Sequence, residues 1–237
     1  MISKELLKSL AGKNNISLSD KSLSQLNTYA ELLIEWNDKI NLTAITDPEE
    51  IVYKHFLDSM MPLALLDIPE GSSLIDVGTG AGFPGLVLKI VRPDLQITLL
   101  DGTNKRLLVI KDIEEKIGIT TKIIHMRAED GSKQKDLRES FDYATARAVT
   151  SMPVLSEYCI PYVKPGGYFI PLKGPDIQEE LKSGINAINL LGGKWIETKS
   201  YSLGDMGERN LVIIQKTKPT PPKYPRQIAK IKKNPLG

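Results

Sequence analysis

The sequence predicts an α/β fold in which a largely parallel sheet, covered by helices on both faces, follows an N-terminal helical cap. Three features carry this. Short apolar runs rich in Ile, Leu, Val, Tyr and Phe alternate with helix-period stretches from Ser72 onward. No run before Ser72 reads as a strand. The first run, Leu74-Ile75-Asp76-Val77, breaks into a loop with glycines at Gly78, Gly80, Gly82 and Gly85, as a strand does when it turns sharply into a helix over a small-molecule site.

Within the cap, Leu6, Leu7 and Leu10 share a face, and Leu23, Leu26, Tyr29, Leu32, Leu33 and Trp36 continue a stripe spaced by three and four. Ser19 or Asp20 is placed to cap the second helix. Asp47-Pro48-Glu49-Glu50 opens a third, with proline at its first position and acids in its first turn. Strands are predicted at 73–77, 96–100, 122–125, 141–146, 167–172, 194–199 and 210–215, with helices near 83–91, 104–117, 151–163 and 175–191. The last two runs lie close enough to form a hairpin, which makes the final strand antiparallel. The expected division is a helical cap (1–70), a seven-stranded domain (71–217) and a tail (218–237).

With 41% hydrophobic and 25% charged residues over 237 positions, the chain has the composition of a globular protein with a full core. No apolar run approaches the ~20 residues of a membrane helix, and charges interrupt the N-terminus, so neither a membrane span nor an export signal is expected. A single cysteine, Cys159, allows no internal disulfide, which suits a cytoplasmic protein. No apolar stripe is left over, which predicts a monomer. His55 and His125 lack cysteine partners, so no metal centre is expected. The net charge of +2 hides an asymmetry: Lys216, Lys218, Lys223, Arg226, Lys230, Lys232 and Lys233 crowd the C-terminus without an acid. Such a proline-rich basic tail is either an arm for a phosphate-bearing partner or a solvated terminus.

Two ligands suit the glycine loop. Gly80-Ala81-Gly82-Phe83-Pro84-Gly85 matches the G-x-G-x-x-G of dinucleotide sites. Asp76 to Gly82 matches acid-x-G-x-G-x-G, which resembles the first motif of Rossmann-like methyltransferases that use S-adenosyl-L-methionine. Asp76 favours the second reading, because a carboxylate at the strand end repels a pyrophosphate and suits a sulfonium and an α-ammonium group. Asp101, ending the second strand, is placed to accept from ribose hydroxyls or else to cap the helix that follows. Arg127-Ala128-Glu129-Asp130, after the third strand, is either an ordinary loop or one that offers a backbone amide and a side-chain acceptor to an adenine edge. Lys164-Pro165-Gly166-Gly167 is a turn frequent in these methyltransferases.

The acceptor is constrained by exclusion. Cys159 lies in the apolar helical run Val154 to Ile160, where an inert buried thiol is expected rather than a nucleophile. Enzymes that methylate exocyclic amines carry an acid or Asn with Pro-Pro-aromatic after the fourth strand, where this chain has Ala146-Arg147-Ala148-Val149. What remains is an acceptor needing neither a covalent nucleophile nor a base. Guanine N7 meets that condition, since its lone pair carries no proton.

Taken in order, Trp36-Asn37, Asn41-Leu42-Thr43, His55-Phe56-Leu57-Asp58-Ser59, the loop from Asp76 to Gly85, Arg147-Ala148 and Leu172-Lys173-Gly174 resemble the bacterial RsmG (GidB) family. The resemblance spans nearly the whole chain, the tail least. It implies a Rossmann-like class I methyltransferase sheet and S-adenosyl-L-methionine as donor. It also implies N7 of a guanine in 16S rRNA of the small ribosomal subunit as acceptor, near the decoding site. It places the donor at Gly78, Phe83, Ala128, Glu129 and Arg147; Asp76, Gly80 and Asp101 are added from loop geometry.

By residue type alone Phe83 reads as core and Arg147 as a charge at a strand end. Arginine ordinarily clasps guanine O6 and N7 together, which would block the nucleophile. Arg147, the catalytic candidate, is therefore expected to hold the donor or touch O6 only. His55 and Asp58 share a helix face, either as a helix-to-core hydrogen bond or as a lid on the donor pocket. Lys105, Arg106, Lys173 and the tail are expected to meet RNA phosphates. An NAD(P)-dependent oxidoreductase and a non-catalytic rRNA-binding assembly factor are the competing functions.

Overall fold

Five strands run parallel in the computed structural model, which describes residues 1–236: β1 (Ser73–Val77), β2 (Gln96–Asp101), β3 (Lys122–His125), β4 (Phe141–Thr145) and β5 (Val163–Phe169). The two-residue β6 (Leu172–Lys173), β7 (Gly193–Ser202) and β8 (Glu208–Lys216) complete one sheet, with β8 antiparallel to β5, β6 and β7. The order is β3-β2-β1-β4-β5-β8-β6, with β7 on the outer side of β8. Strand order reverses between β1 and β4, so a crevice opens beyond their C-terminal ends.

Side-chain alternation along the strands feeds two cores. Leu74, Ile97 and Leu99 enter one, while Ile75, Val77 and Leu100 enter the other. The first lies under α1 (Lys4–Lys13), α2 (Asp20–Ile40), α5 (Gly85–Val91) and α6 (Asn104–Ile117). The second lies under α8 (Met152–Cys159), α9 (Ile177–Leu190) and, after a turn at α7 (Ala128–Gly131) earlier in the chain, the C-terminal α10 (Ile228–Lys233). The N-terminal helices thus share a core with one face of the sheet. Ser19, rather than Asp20, caps α2 by accepting from Ser22 N–H at 3.0 Å. Asp47 caps α3 (Pro48–Glu50), which continues through π-helical turns at Ile51–Leu57 into α4 (Asp58–Leu65). No helix among the described residues is long and apolar enough to cross a membrane.

Three details differ from the sequence reading. The fifth strand starts earlier, at Val163, because α8 stops at Cys159 and a single 3-10 turn, Ile160–Tyr162, leads into it. The stretch 167–172 is not one strand: Ile170-Pro171 interrupts it, proline having no N–H for a ladder, and the chain re-enters the sheet as β6, an eighth strand. The tail is not a solvated terminus. Tyr224 is 7% exposed and Ile231 is fully buried in the second core.

Candidate active site

The glycine loop is shaped by groups beneath and beside it. Asp76 is fully buried at the end of β1, and its Oδ2 accepts from Thr79 Oγ1 at 2.6 Å and Gly85 N–H at 2.8 Å. Burial lifts its carboxyl to about 6, against the lowering by these two bonds. Asp101 accepts from Gly80 N–H at 3.0 Å and from Thr103 N–H at 2.7 Å, so it ties the glycine loop to the turn that precedes α6, whose N-cap is Thr103. Tyr29 of α2 donates to Ala81 C=O at 2.6 Å. Gly78 adopts φ +74°, and a Cβ there would lie 2.9 Å from Val149 Cγ2, so only glycine serves.

This loop is a poor diphosphate cradle. The backbone N–H groups of Gly78 and Thr79 are donated to Leu100 C=O, and those of Gly82 and Phe83 to Thr79 C=O. Those of Gly80 and Gly85 go to Asp101 and Asp76. A dinucleotide's phosphates require such groups free. Asp76 shapes the turn through Oδ2, while its buried Oδ1 has no hydrogen-bond partner among the described residues.

Above the loop runs a cleft in two halves, separated by Val149 standing over Gly78. The larger half, about 760 Å³, is lined by Thr43, His55, Asp58, Phe83, Arg147 and Lys173 among others. The smaller, about 560 Å³, is lined by Asp101, Ala128, Glu129, Tyr158 and Arg127. Each is large enough for part of a nucleoside-sized ligand. The partition wall is Ala148–Thr150, where Ala148 holds φ +53°, a left-handed conformation costly for alanine. Lys173 keeps this wall in place, its Nζ donating to Thr150 C=O at 2.8 Å and Glu180 Oε1 at 2.6 Å.

Arg147 organises the larger half. Its guanidinium donates to Asp58 Oδ2 and Lys54 C=O, both at 2.8 Å, and to His55 Nδ1 at 3.2 Å, and it stacks 5.0 Å from the Phe83 ring centre. His55 stacks on Phe83 at 4.4 Å, and Tyr29 packs parallel to it at 5.2 Å. The π-helical turns supply the Lys54 carbonyl, His55 and, at their end, Asp58 from one short segment. Asp58 Oδ1 accepts from Tyr201 Oη at 2.7 Å, and burial together with that carboxylate pushes the Tyr201 hydroxyl well up.

The arginine dictates the imidazole tautomer. A guanidinium can only donate, so His55 Nδ1 accepts and Nε2 carries the hydrogen. Burial and the Arg147 charge hold the ring neutral, its pKa lowered to about 3. Nε2–H then donates to Thr43 Oγ1 at 3.0 Å, which also accepts from Ile45 N–H at 3.0 Å. Both Thr43 lone pairs are taken, leaving its hydroxyl hydrogen to donate into the cleft.

In the smaller half, Glu129 is 4% exposed and its Oε1 has no hydrogen-bond partner among the described residues, nor has the Tyr158 hydroxyl. Ala128 and Glu129 open α7, where backbone N–H groups lack helical partners. An orphaned buried acceptor beside such amides is chemically complementary to an adenine edge, with its N–H₂ donor and ring-nitrogen acceptor.

A family model described as rRNA small subunit methyltransferase G matches residues 22–212. A curated protein of that name from Alkaliphilus metalliredigens is 46% identical over 239 residues, covering 100% of both chains. Another of that name from Clostridium beijerinckii is 48% identical, with 98% of each chain covered. The chain belongs to the rRNA small subunit methyltransferase G family. Its sheet is similar to that of the 16S rRNA (adenine(1408)-N(1))-methyltransferase from Catenulisporales acidiphilia, with a TM-score of 0.52, 14% identity, and 64% of this chain and 88% of that chain covered. Membership in this methyltransferase family sets the reaction class, transfer of a methyl group from S-adenosyl-L-methionine. In an rRNA small subunit methyltransferase G the fold thus brings Gly78, Gly80, Phe83 and Arg147 to one half of the cleft and Asp101, Ala128 and Glu129 to the other.

Several expectations shift. Lys173 is turned inward onto Glu180 and does not present its charge to a polyanion, whereas Lys105 and Arg106 remain exposed. Lys216 and Arg226 pair with Glu139 and Glu157 inside the protein, so two of the seven C-terminal bases are structural. Cys159, by contrast, is as expected: fully buried, with burial pushing its thiol up. Sequence reasoning missed Tyr29, Thr43 and Tyr201. Only Thr43 lay in a quoted motif; nothing in the sequence near Tyr201 signals a partner at Asp58, 143 positions away.

Proposed function

We propose that the protein transfers a methyl group to N7 of a guanine in 16S rRNA of the small ribosomal subunit. The observation that carries this is the lack of an available base. His55 has both ring nitrogens engaged, Asp58 is held by Arg147 and Tyr201, and Glu180 by Lys173 and Met152 N–H. Among the described residues of the larger half, an acceptor that must lose a proton before reacting would find no imidazole nitrogen free, and each lining carboxylate is tied into an ion pair, Asp58 with Arg147 and Glu180 with Lys173. Guanine N7 has no proton to lose, so catalysis reduces to alignment and electrostatics.

When bound, S-adenosyl-L-methionine supplies an electrophilic methyl on a sulfonium. Asp101 accepts from ribose hydroxyls, and Glu129 with the Ala128 amide reads the adenine edge. Phe83, backed by Tyr29 and His55, walls the donor's amino-acid end, and Arg147, fixed by three protein acceptors, keeps its remaining N–H groups for the donor or for guanine O6. Exposed Lys105 and Arg106 meet RNA phosphates. The same reading takes the protein as a cytoplasmic monomer. Light scattering decides the second point, since Trp195 and Ile196 on edge strand β7 are 41% and 45% exposed.

The deciding experiment uses small subunits from cells lacking the gene, incubated with the protein and donor. Borohydride and aniline then cleave the RNA wherever guanine carries an N7 methyl. Cleavage at one guanine is expected; methyl incorporation without cleavage would move the reaction to another atom, and no incorporation would favour a non-catalytic assembly factor. Calorimetric titration with S-adenosyl-L-methionine against NADH separates out the oxidoreductase alternative.

A further inference from the structure

The far wall of the smaller half comes from the tail. Ile228 and Lys232 line it opposite Asp101, Ala128 and Glu129. Four residues apart on α10, they share one face, while Ile231 is buried in the second core. The segment leading into the helix is anchored, and the helix itself is held to the core by Ile231. Arg226 N–H and guanidinium donate to Glu157 at 2.7–3.2 Å, and Glu157 is fully buried on α8, next to Tyr158 of the same cleft wall. Arg138 donates to Tyr224 C=O at 2.9 Å and Thr220 C=O at 2.8 Å, and Lys216 to Thr220 Oγ1 at 2.6 Å.

The outer side of the same helix is basic. Lys230 and Lys233 are exposed there, and α10 carries no acid. Arg106 and Arg127 line the cleft beside Lys232, so bases surround its mouth while the acids Asp101 and Glu129 stay buried. A rim of that sign is complementary to a phosphate backbone.

Building on the function proposed above, we propose that α10 walls the nucleoside half of the donor site and at the same time carries rRNA phosphates on its basic face. One element then touches both reactants, and each tightens the other's binding by an equal factor. Ile228 covers the purine, and RNA held by Lys230 and Lys233 presses the helix into place.

The test is equilibrium dialysis of radiolabelled S-adenosylhomocysteine with the full-length protein, with and without small subunits from cells lacking the gene. Ile228→Ala is expected to weaken nucleoside binding roughly threefold to tenfold without RNA, as loss of partly buried aliphatic surface demands. Lys232→Ala, an exposed change that leaves folding intact, should weaken it less. Lys230→Glu/Lys233→Glu should bind nucleoside alone like wild type but lose the tightening that subunits produce. If both cleft-facing variants match wild type, α10 is no part of the donor site. If wild type shows no tightening, or the charge-reversed protein keeps it, the link between reactants is wrong. Failure of wild type to bind the nucleoside at all would instead remove the methyltransferase reading beneath it.

Discussion

Arg147 and Asp58, 89 positions apart, form a 2.8 Å ion pair with side chains only 14% and 6% exposed, and the same guanidinium reaches Lys54 C=O and His55 Nδ1. Removing one partner of such a pair strands a charge away from water. Asp58→Asn is expected to cost about 3 kcal/mol, lowering the melting temperature by roughly 6–12 °C. Calorimetric melting of the two proteins measures it, and a shift below 2 °C would show the pair to be energetically idle.

Arg147→Lys keeps the charge but loses the planar fork that reaches Asp58, Lys54 C=O and His55 together. Methyl transfer should fall by about tenfold to a hundredfold, the loss of one to two charge-assisted hydrogen bonds. Single-turnover rates on small subunits check this. A lysine variant working at the wild-type rate would mean that position, and not geometry, is all the reaction asks of residue 147.

His55 gives the protein an acid limb. Its folded pKa, about 3, lies below the unfolded value near 6.5, so between these limits the unfolded chain binds more protons. Its contribution is fully present above pH 6.5 and is lost as pH falls toward 3. Asp76, raised to about 6, has the opposite sign: it favours folding below its unfolded value near 3.8 and that advantage is lost as pH rises through 6. His55→Gln isolates the first. In urea titrations the stability gap between wild type and variant should shrink by roughly 2 kcal/mol from pH 7 to pH 5; a constant gap would mean the imidazole is not held neutral.

Local chemistry was readable from the sequence wherever a residue acts on its neighbours. The Asp76-to-Gly85 turn, the Asp47 cap and β1 to β4 follow from alternation, glycine spacing and capping preferences within a few residues of where they act. The cleft's inner network was not. Tyr201 meets Asp58, and Tyr29 meets Ala81 C=O, only because separate helices and strands fold onto the same sheet end. The tail misled for a related reason. Lysines and prolines read by composition as a free arm or a solvated end, yet Tyr224 and Ile231 are enough to anchor it once Arg226 finds a buried partner.

Thr43 converts that hidden network into something assayable. With its lone pairs occupied by His55 Nε2–H and Ile45 N–H, its hydroxyl has only a donor to offer a ligand oxygen. Thr43→Ser should stay within about twofold of wild type, whereas Thr43→Val, equal in shape, should lose roughly tenfold or more in kcat/KM. Comparing donor affinity in the two variants assigns the oxygen: weaker donor binding points to the donor's carboxylate, unchanged binding with slower transfer to the base carbonyl. Equal activity of Ser and Val variants would remove the hydroxyl from the reaction.

Glu157 is the last group whose burial makes a sharp demand. It is fully buried, and Arg226 is its ion-pair partner among the described residues. Arg226→Ala should therefore destabilise the fold by about 3 kcal/mol even though it touches a segment that looks dispensable in sequence. Adding Glu157→Gln to that variant removes the stranded charge, so the double variant should recover part of the loss rather than add to it. Urea midpoints for the two single variants and the double variant decide the matter. Strict additivity, or an Arg226→Ala cost under about 0.5 kcal/mol, would place the tail on the surface as an ornament rather than in the fold.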